Sequence, residues 1–179
     1  MKSVDSVLVS TPEEVLDKYQ TTSIDSFQVS NIVTNYDESG KEVSAHELLA
    51  YAKTLIGIPY KHASVDPAEG LDCSGFITHV FNHFSITVPR SSIDFTNYGV
   101  TVDPADAATG NLILFTGTDT LSEVVGHMGI VTDVVDGELE FIHSTSGKAY
   151  AVTITKLNAH YRKRFVKIIR ISYKAAGEH

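Results

Sequence analysis

The sequence holds one cysteine, Cys73, and eight histidines. A thiol paired with an imidazole is one of the few side-chain combinations able to attack an amide carbonyl, provided a third group orients the imidazole. Cys73 lies in Asp72-Cys73-Ser74-Gly75-Phe76. With Asp72 near the N-cap of a helix, the thiol falls in the first turn, where unpaired backbone N–H groups and the helix dipole favour an anion. That placement favours thiolate, the reactive species, and offers the same N–H groups to the oxyanion of a tetrahedral intermediate. Gly75 lets a substrate or another backbone segment come close. The competing reading is structural, because an unpaired cysteine is just as often a small buried apolar residue. Being alone, Cys73 can form neither an internal disulfide nor a multi-thiolate metal site.

Two histidines flank a hairpin signal, Asp136-Gly137. His127 lies in Gly126-His127-Met128-Gly129, and His143 in Phe141-Ile142-His143-Ser144. The turn decides whether they meet. In a two-residue turn Val135 opposes Glu138 and His143 opposes Ile130, which sends His127 to the other face. With Val135-Asp136-Gly137 as the loop and Gly137 left-handed in a G1 bulge, Val134 opposes Glu138 and His143 opposes Gly129. His127 and His143 then share a face as diagonal neighbours, roughly 7–8 Å apart at the backbone. The second register is the expected one, with the small Gly129 beside the pair. Zinc accepts sulfur and imidazole ligands, so Cys73, His127 and His143 could also form a metal site, but no metal or cofactor is expected. His79 and His83 have a metal-binding spacing. They lie off the Phe76/Val80/Phe84 face without a third ligand nearby and are expected to be a surface pair. His46, His62, His160 and His179 are expected to be satisfied or solvated.

These residues need elements to position them. Ser44-Ala45-His46-Glu47 is a capping box, and Leu48, Leu49, Ala52, Leu55 and Ile56 follow it at helical spacing until Gly57 and Pro59. A second helix opens near Asp72 with Phe76, Ile77, Val80, Phe81 and Phe84 on its buried face. After Pro89 the pattern turns to strands, expected over 112–115, 128–135, 139–144, 149–154 and 165–172. Helices followed by an antiparallel sheet make an α+β protein, and a papain-like arrangement of one helix on a small barrel-like sheet fits that order. Residues 1–42 read as an N-terminal extension and 43–179 as the main domain. The extension holds a short helix opening at Thr11-Pro12-Glu13-Glu14, with Val15, Leu16 and Tyr19 on one face, and a polar turn-forming stretch over 31–40.

Composition narrows the partners. The chain has 179 residues, 42% hydrophobic and 20% charged, which suits one folded domain. Fourteen basic against 22 acidic residues give a net charge of -8, which disfavours nucleic acid because phosphate binding needs a positive field. No stretch approaches the run of about 20 apolar residues that crosses a bilayer. Met1-Lys2-Ser3-Val4-Asp5 is followed by no apolar run, so no signal peptide is expected. The chain is cytoplasmic on this reading, or an envelope or secreted protein whose leader has been removed. A monomer is expected.

In order and spacing, several short motifs together resemble the NlpC/P60 family of cysteine peptidases. They are Ile58-Pro59-Tyr60, Asp72-Cys73-Ser74-Gly75-Phe76, Val88-Pro89-Arg90-Ser91-Ser92, Gly110-Asn111-Leu112-Ile113-Leu114-Phe115, Gly126-His127-Met128-Gly129-Ile130 and Phe141-Ile142-His143-Ser144. The resemblance runs from about Ser44 to Ile171. It implies a papain-like fold and a Cys-His-polar triad of Cys73, His127 and His143. It also implies hydrolysis within peptidoglycan stem peptides, typically between γ-D-glutamyl and diaminopimelate or lysine. Tyr60, Asp72, Ser74 and Ser92 match positions that form the pocket before the scissile bond. The chain departs from the family at His62-Ala63-Ser64, where Trp-Gly-Gly is usual, at Phe95, where Gln is common, and at Asn111, where Asp is usual. The alternatives are an amidase or acyltransferase acting on another amide, a non-catalytic module that binds cell-wall peptides, and a toxin with the same chemistry.

Overall fold

The computed structural model describes residues 34–36, 42–117, 124–135 and 138–171. The helix expected at Thr11, most of the polar stretch over 31–40, the turn Asp136-Gly137, position 172 and His179 lie outside the described residues.

Two short strands, β1 (Thr34–Tyr36) and β2 (Glu42–Ser44), pair antiparallel. This pairing joins residues on both sides of position 42. Helix α1 (Ala45–Thr54) starts as its sequence dictates: the Ser44 hydroxyl accepts from the Glu47 N–H, and the Glu47 carboxylate accepts from the Ser44 N–H. Leu48, Leu49 and Ala52 are buried, which is the face the periodicity marks.

Helix α2 (Cys73–His83) has Asp72 as its N-cap and buries Phe76, Ile77, Val80 and Phe81. A 3-10 turn (Ser92–Asn97) follows, then β3 (Val100–Val102), β4 (Leu112–Thr116), β5 (Val125–Val135), β6 (Glu138–Ser144), β7 (Val152–Lys156), a one-turn helix α3 (Ala159–Arg162) and β8 (Phe165–Arg170). The last six strands form one antiparallel sheet in the order β3-β8-β4-β5-β6-β7. The fold is α+β, as the order of patterns implied. Strand β7 begins three residues later than expected. The short β3 and α3 carry too few residues for a periodic signal.

The sheet packs on both faces. Leu112, Leu114, Met128, Ile130, Ile142 and Ile169 meet the helices, with Phe76, Phe81 and Leu48 fully buried among them. Ile113, Phe115, Val131, Phe141 and Ile168 build a second, smaller cluster closed by Tyr161 and Phe165. Two of the three departures from the resembled pattern are interior: Phe95 is fully buried in the larger cluster, and buried Asn111 accepts the Ala108 N–H through Oδ1 at 2.9 Å.

The β5–β6 hairpin differs from both simple expectations. Next to the turn Val135 pairs with Glu138 and Asp133 with Glu140, as a two-residue turn requires. A bulge then takes up Thr132, so Val131 pairs with Phe141 and Ile130 with Ile142. The expected register therefore holds at the histidines, but a bulge inside the strand creates it, not a wider turn. Gly129 is needed there, because a Cβ would lie 2.7 Å from the Phe141 ring and 3.1 Å from the His143 Cβ.

Candidate active site

The mouth of α2 accounts for all four backbone N–H groups that a helix start leaves unpaired. The Asp72 N–H donates to the Ser64 carbonyl at 3.1 Å, and the Gly75 N–H donates to Asp72 Oδ1 at 2.6 Å. The remaining two, on Cys73 and Ser74, are directed at the Cys73 sulfur and act to lower its pKa. The sulfur lies 3.9 Å from the carbonyl oxygen of Gly126, the residue before His127.

Gly75 is required by the chain itself. A Cβ there would sit 2.0 Å from the Ser64 carbonyl oxygen, so the close approach expected of this glycine is made by the 61–64 loop. In that loop Ala63 holds a left-handed backbone with φ 59°, at the first glycine position of the usual Trp-Gly-Gly. Gly75→Ala should destabilise the protein by about 3 kcal/mol, the upper end for overpacking. The expected result is a lowered urea midpoint at unchanged m-value; equal midpoints would show that the loop gives way freely.

Asp72 does more than cap. Arg90 donates from Nη2 to Asp72 Oδ2 at 2.8 Å, and from Nη1 to Oδ1 at 3.2 Å and to Ser74 Oγ at 2.9 Å. The Ser74 hydroxyl donates to Asp72 Oδ1 at 3.2 Å. This bidentate pair places a fixed carboxylate and guanidinium on the rim of a cleft of about 490 Å³. The cleft is lined by Cys73 with Tyr60, Asp72, Ser74 and Ser92, and also by His62, Arg90 and Gly126. All four expected pocket residues thus line the same cleft as the thiol. Arg90 was visible only as part of Pro89-Arg90-Ser91-Ser92, and His62, expected to be bland, lines the cleft. Tyr60 is edge-on to Tyr150, their ring centres 5.7 Å apart. Burial raises the Tyr60 phenol, with Cys73 and Asp72 adding to the effect.

His127 and His143 meet on one face of the sheet, Nε2 of the first 2.8 Å from Nδ1 of the second. The outer nitrogen of His143, Nε2, is 2.9 Å from the Thr155 hydroxyl on β7. Phe115, Phe141 and Tyr161 enclose the rings. Nothing local in the sequence marks Thr155 or Tyr161, because their contacts depend on β7 and α3 folding back over the hairpin. Of the remaining histidines, His46 is exposed and His160 contacts Arg164 at 3.2 Å. Tyr51 contacts both His79 and His83, its hydroxyl 2.9 Å from His79 Nε2 and its ring stacked on His83 at 3.6 Å. Among the described residues no three such side chains gather in a metal-binding cluster.

Electrostatics alter one expectation. Burial, then the Asp72 carboxylate, push the Cys73 thiol up to about 11, and the two N–H groups and Arg90 only partly oppose them. Desolvation outweighs the helix terminus, and the resting sulfur is a thiol. Burial likewise pushes His127 well below the ordinary value, with His143, Arg164 and His160 adding to it. His143 falls to about 4 through burial and then Arg164. Both rings are therefore neutral at pH 7.

The unfolded chain protonates these histidines below about 6.5 while the folded one resists, so their contribution is complete above that pH and shrinks as pH falls towards the folded value. For His143, the drop to about 4 corresponds to roughly 3 kcal/mol lost by pH 4. Urea midpoints measured from pH 7 to 4 should fall less steeply for His143→Gln than for wild type. Parallel curves would refute a buried neutral ring.

The profile of the NlpC/P60 family matches residues 57–170. A probable endopeptidase of Haemophilus influenzae is 30% identical over 175 residues, covering 96% of this chain and 100% of that protein. The gamma-DL-glutamyl hydrolase of Bacillus subtilis is 30% identical over 155 residues, covering 78% of this chain but 36% of its own length. An NlpC/P60 family protein from Bacillus cereus superposes with a TM-score of 0.63 at 31% identity, over 72% of this chain and 40% of that one. The chain thus spans well under half of the last two proteins and the whole of the first. The matched stretch takes in the cleft, the mouth of α2 and both bonded histidines, and by that match the chain belongs to the NlpC/P60 family.

Proposed function

We propose that this protein is a cysteine peptidase that hydrolyses an amide bond in peptidoglycan stem peptides, the bond between γ-D-glutamyl and diaminopimelate or lysine. Cys73 is the nucleophile, His127 the base and His143 the group that orients it. The observation that carries the reading is the thiol at a helix mouth, with two N–H groups aimed at it, beside the strand that carries a hydrogen-bonded histidine pair. The family supports amide hydrolysis of this class, and the B. subtilis relative, named for γ-DL-glutamyl hydrolysis, supports a γ-glutamyl group on the acyl side of the bond.

In the reaction His127 Nδ1 takes the thiol proton as sulfur attacks the carbonyl, since a resting thiol needs a base at that moment. The Cys73 N–H and the Tyr60 hydroxyl stabilise the oxyanion. The proton then passes from His127 to the leaving amine. Water, deprotonated by the same ring, releases the γ-carboxylate and restores the thiol. Tyr60, Asp72, Ser74 and Ser92 hold the segment before the bond. Mass spectrometry of defined muropeptides after digestion tests this: a new free γ-carboxyl on D-glutamate with a new α-amine on the third residue is expected. Intact muropeptides, or cleavage at a different bond, would overturn the assignment.

A further inference from the structure

We propose that Thr155 is a positioning residue that holds the His143–His127 pair in the one tautomer able to accept the Cys73 proton. The inference rests on His127 being the base, as proposed above. A neutral imidazole has one N–H and one lone pair. To take a proton at Nδ1, His127 must carry its hydrogen on Nε2 and donate it to His143 Nδ1, 2.8 Å away. His143 then carries its hydrogen on Nε2, and that N–H needs an acceptor. The ring is fully buried, and among the described residues the group within reach is the Thr155 hydroxyl at 2.9 Å.

Thr155 suits this task because its hydroxyl can accept and donate at once. It lines a cavity of about 640 Å³, with Thr145, Lys148, Thr153, His160 and Tyr161 around it, so its own hydrogen can point there while its oxygen accepts from His143. Without the oxygen, the productive tautomer leaves a buried N–H unpaired. The reversed tautomer leaves only an unpaired lone pair, which proteins tolerate better. The pair then reverses: His143 donates from Nδ1 to His127 Nε2, and the His127 hydrogen moves to Nδ1, where no lone pair remains for the thiol.

Thr155→Val keeps the shape and the β-branch a strand favours. The experiment compares wild type, Thr155→Val, Thr155→Ser and Cys73→Ala as full-length chains. Its readouts are muropeptide kinetics and 15N chemical shifts of the imidazole nitrogens, which report the tautomer. Thr155→Val should lower kcat about tenfold, the effect of one neutral hydrogen bond on a barrier, with KM unchanged. The His143 hydrogen should move from Nε2 to Nδ1, and Thr155→Ser should keep both the wild-type rate and the wild-type tautomer. Wild-type kcat in Thr155→Val, or a His143 hydrogen that stays on Nε2, would overturn the inference. If Cys73→Ala retains activity, the catalytic reading fails instead, and the nitrogen shifts still decide what Thr155 does to the tautomer.

Discussion

Cys73→Ala protein should release no peptide from purified peptidoglycan, a loss on the order of 10⁶-fold in kcat, as when a triad hydrolase loses its nucleophile. Its circular dichroism and melting should stay close to wild type. The sulfur lies at the rim of a cleft and its side chain is only partly buried, so its removal opens no sealed cavity of the kind that costs several kcal/mol in a core. Cys73→Ser should be nearly as inactive, because a hydroxyl is a far harder proton donor than a thiol and the site provides the same single base. The Asp72–Arg90–Ser74 network does not involve the sulfur and should persist in both variants. Fragment release by Cys73→Ala at the wild-type rate would remove the thiol from the chemistry.

His127→Ala should be almost as damaging, for a reason that burial sets. With its pKa pushed up to about 11, an unassisted Cys73 is thiolate in only about one molecule in 10⁴ at pH 7. Turnover should fall by about that factor once the base is gone. Alkylation by iodoacetamide separates this from a folding defect, since it needs no substrate. In His127→Ala the rate should climb about tenfold per pH unit through neutrality, following the free thiolate. In wild type it should be faster and nearly flat, because His127 is unprotonated throughout that range and removes the proton during attack. Matching profiles would mean that sulfur and imidazole do not cooperate.

Much of the site was legible because it rests on short-range rules. The Asp72 cap, the burial of Phe76, Ile77, Val80 and Phe81 behind Cys73, and the antiparallel hairpin each follow from residues within a few positions of one another. The pairing of His127 with His143 was a matter of parity along two strands, and one inserted residue suffices to reverse it. That residue is Thr132, and nothing in its neighbours announces a bulge. Arg90 was hidden for a related reason. It reaches Asp72 from 18 positions away, past α2 and a loop whose path depends on what it packs against.

What the sequence determined by itself was the two longer helices and five of the strands, the α+β order, the presence of a helix mouth carrying a thiol, and the histidines able to serve it. These are properties of local periodicity and capping, in which energies of about 1 kcal/mol act between near neighbours. Only the tertiary structure decided the charge state of the thiol, the acceptor behind His143 and the salt bridge on the cleft rim. Desolvation is a sum over every atom that displaces water, and most of those atoms come from distant parts of the chain. A helix terminus alone argues for thiolate; the fold around it, through burial and the Asp72 carboxylate, keeps the proton on sulfur until a base takes it.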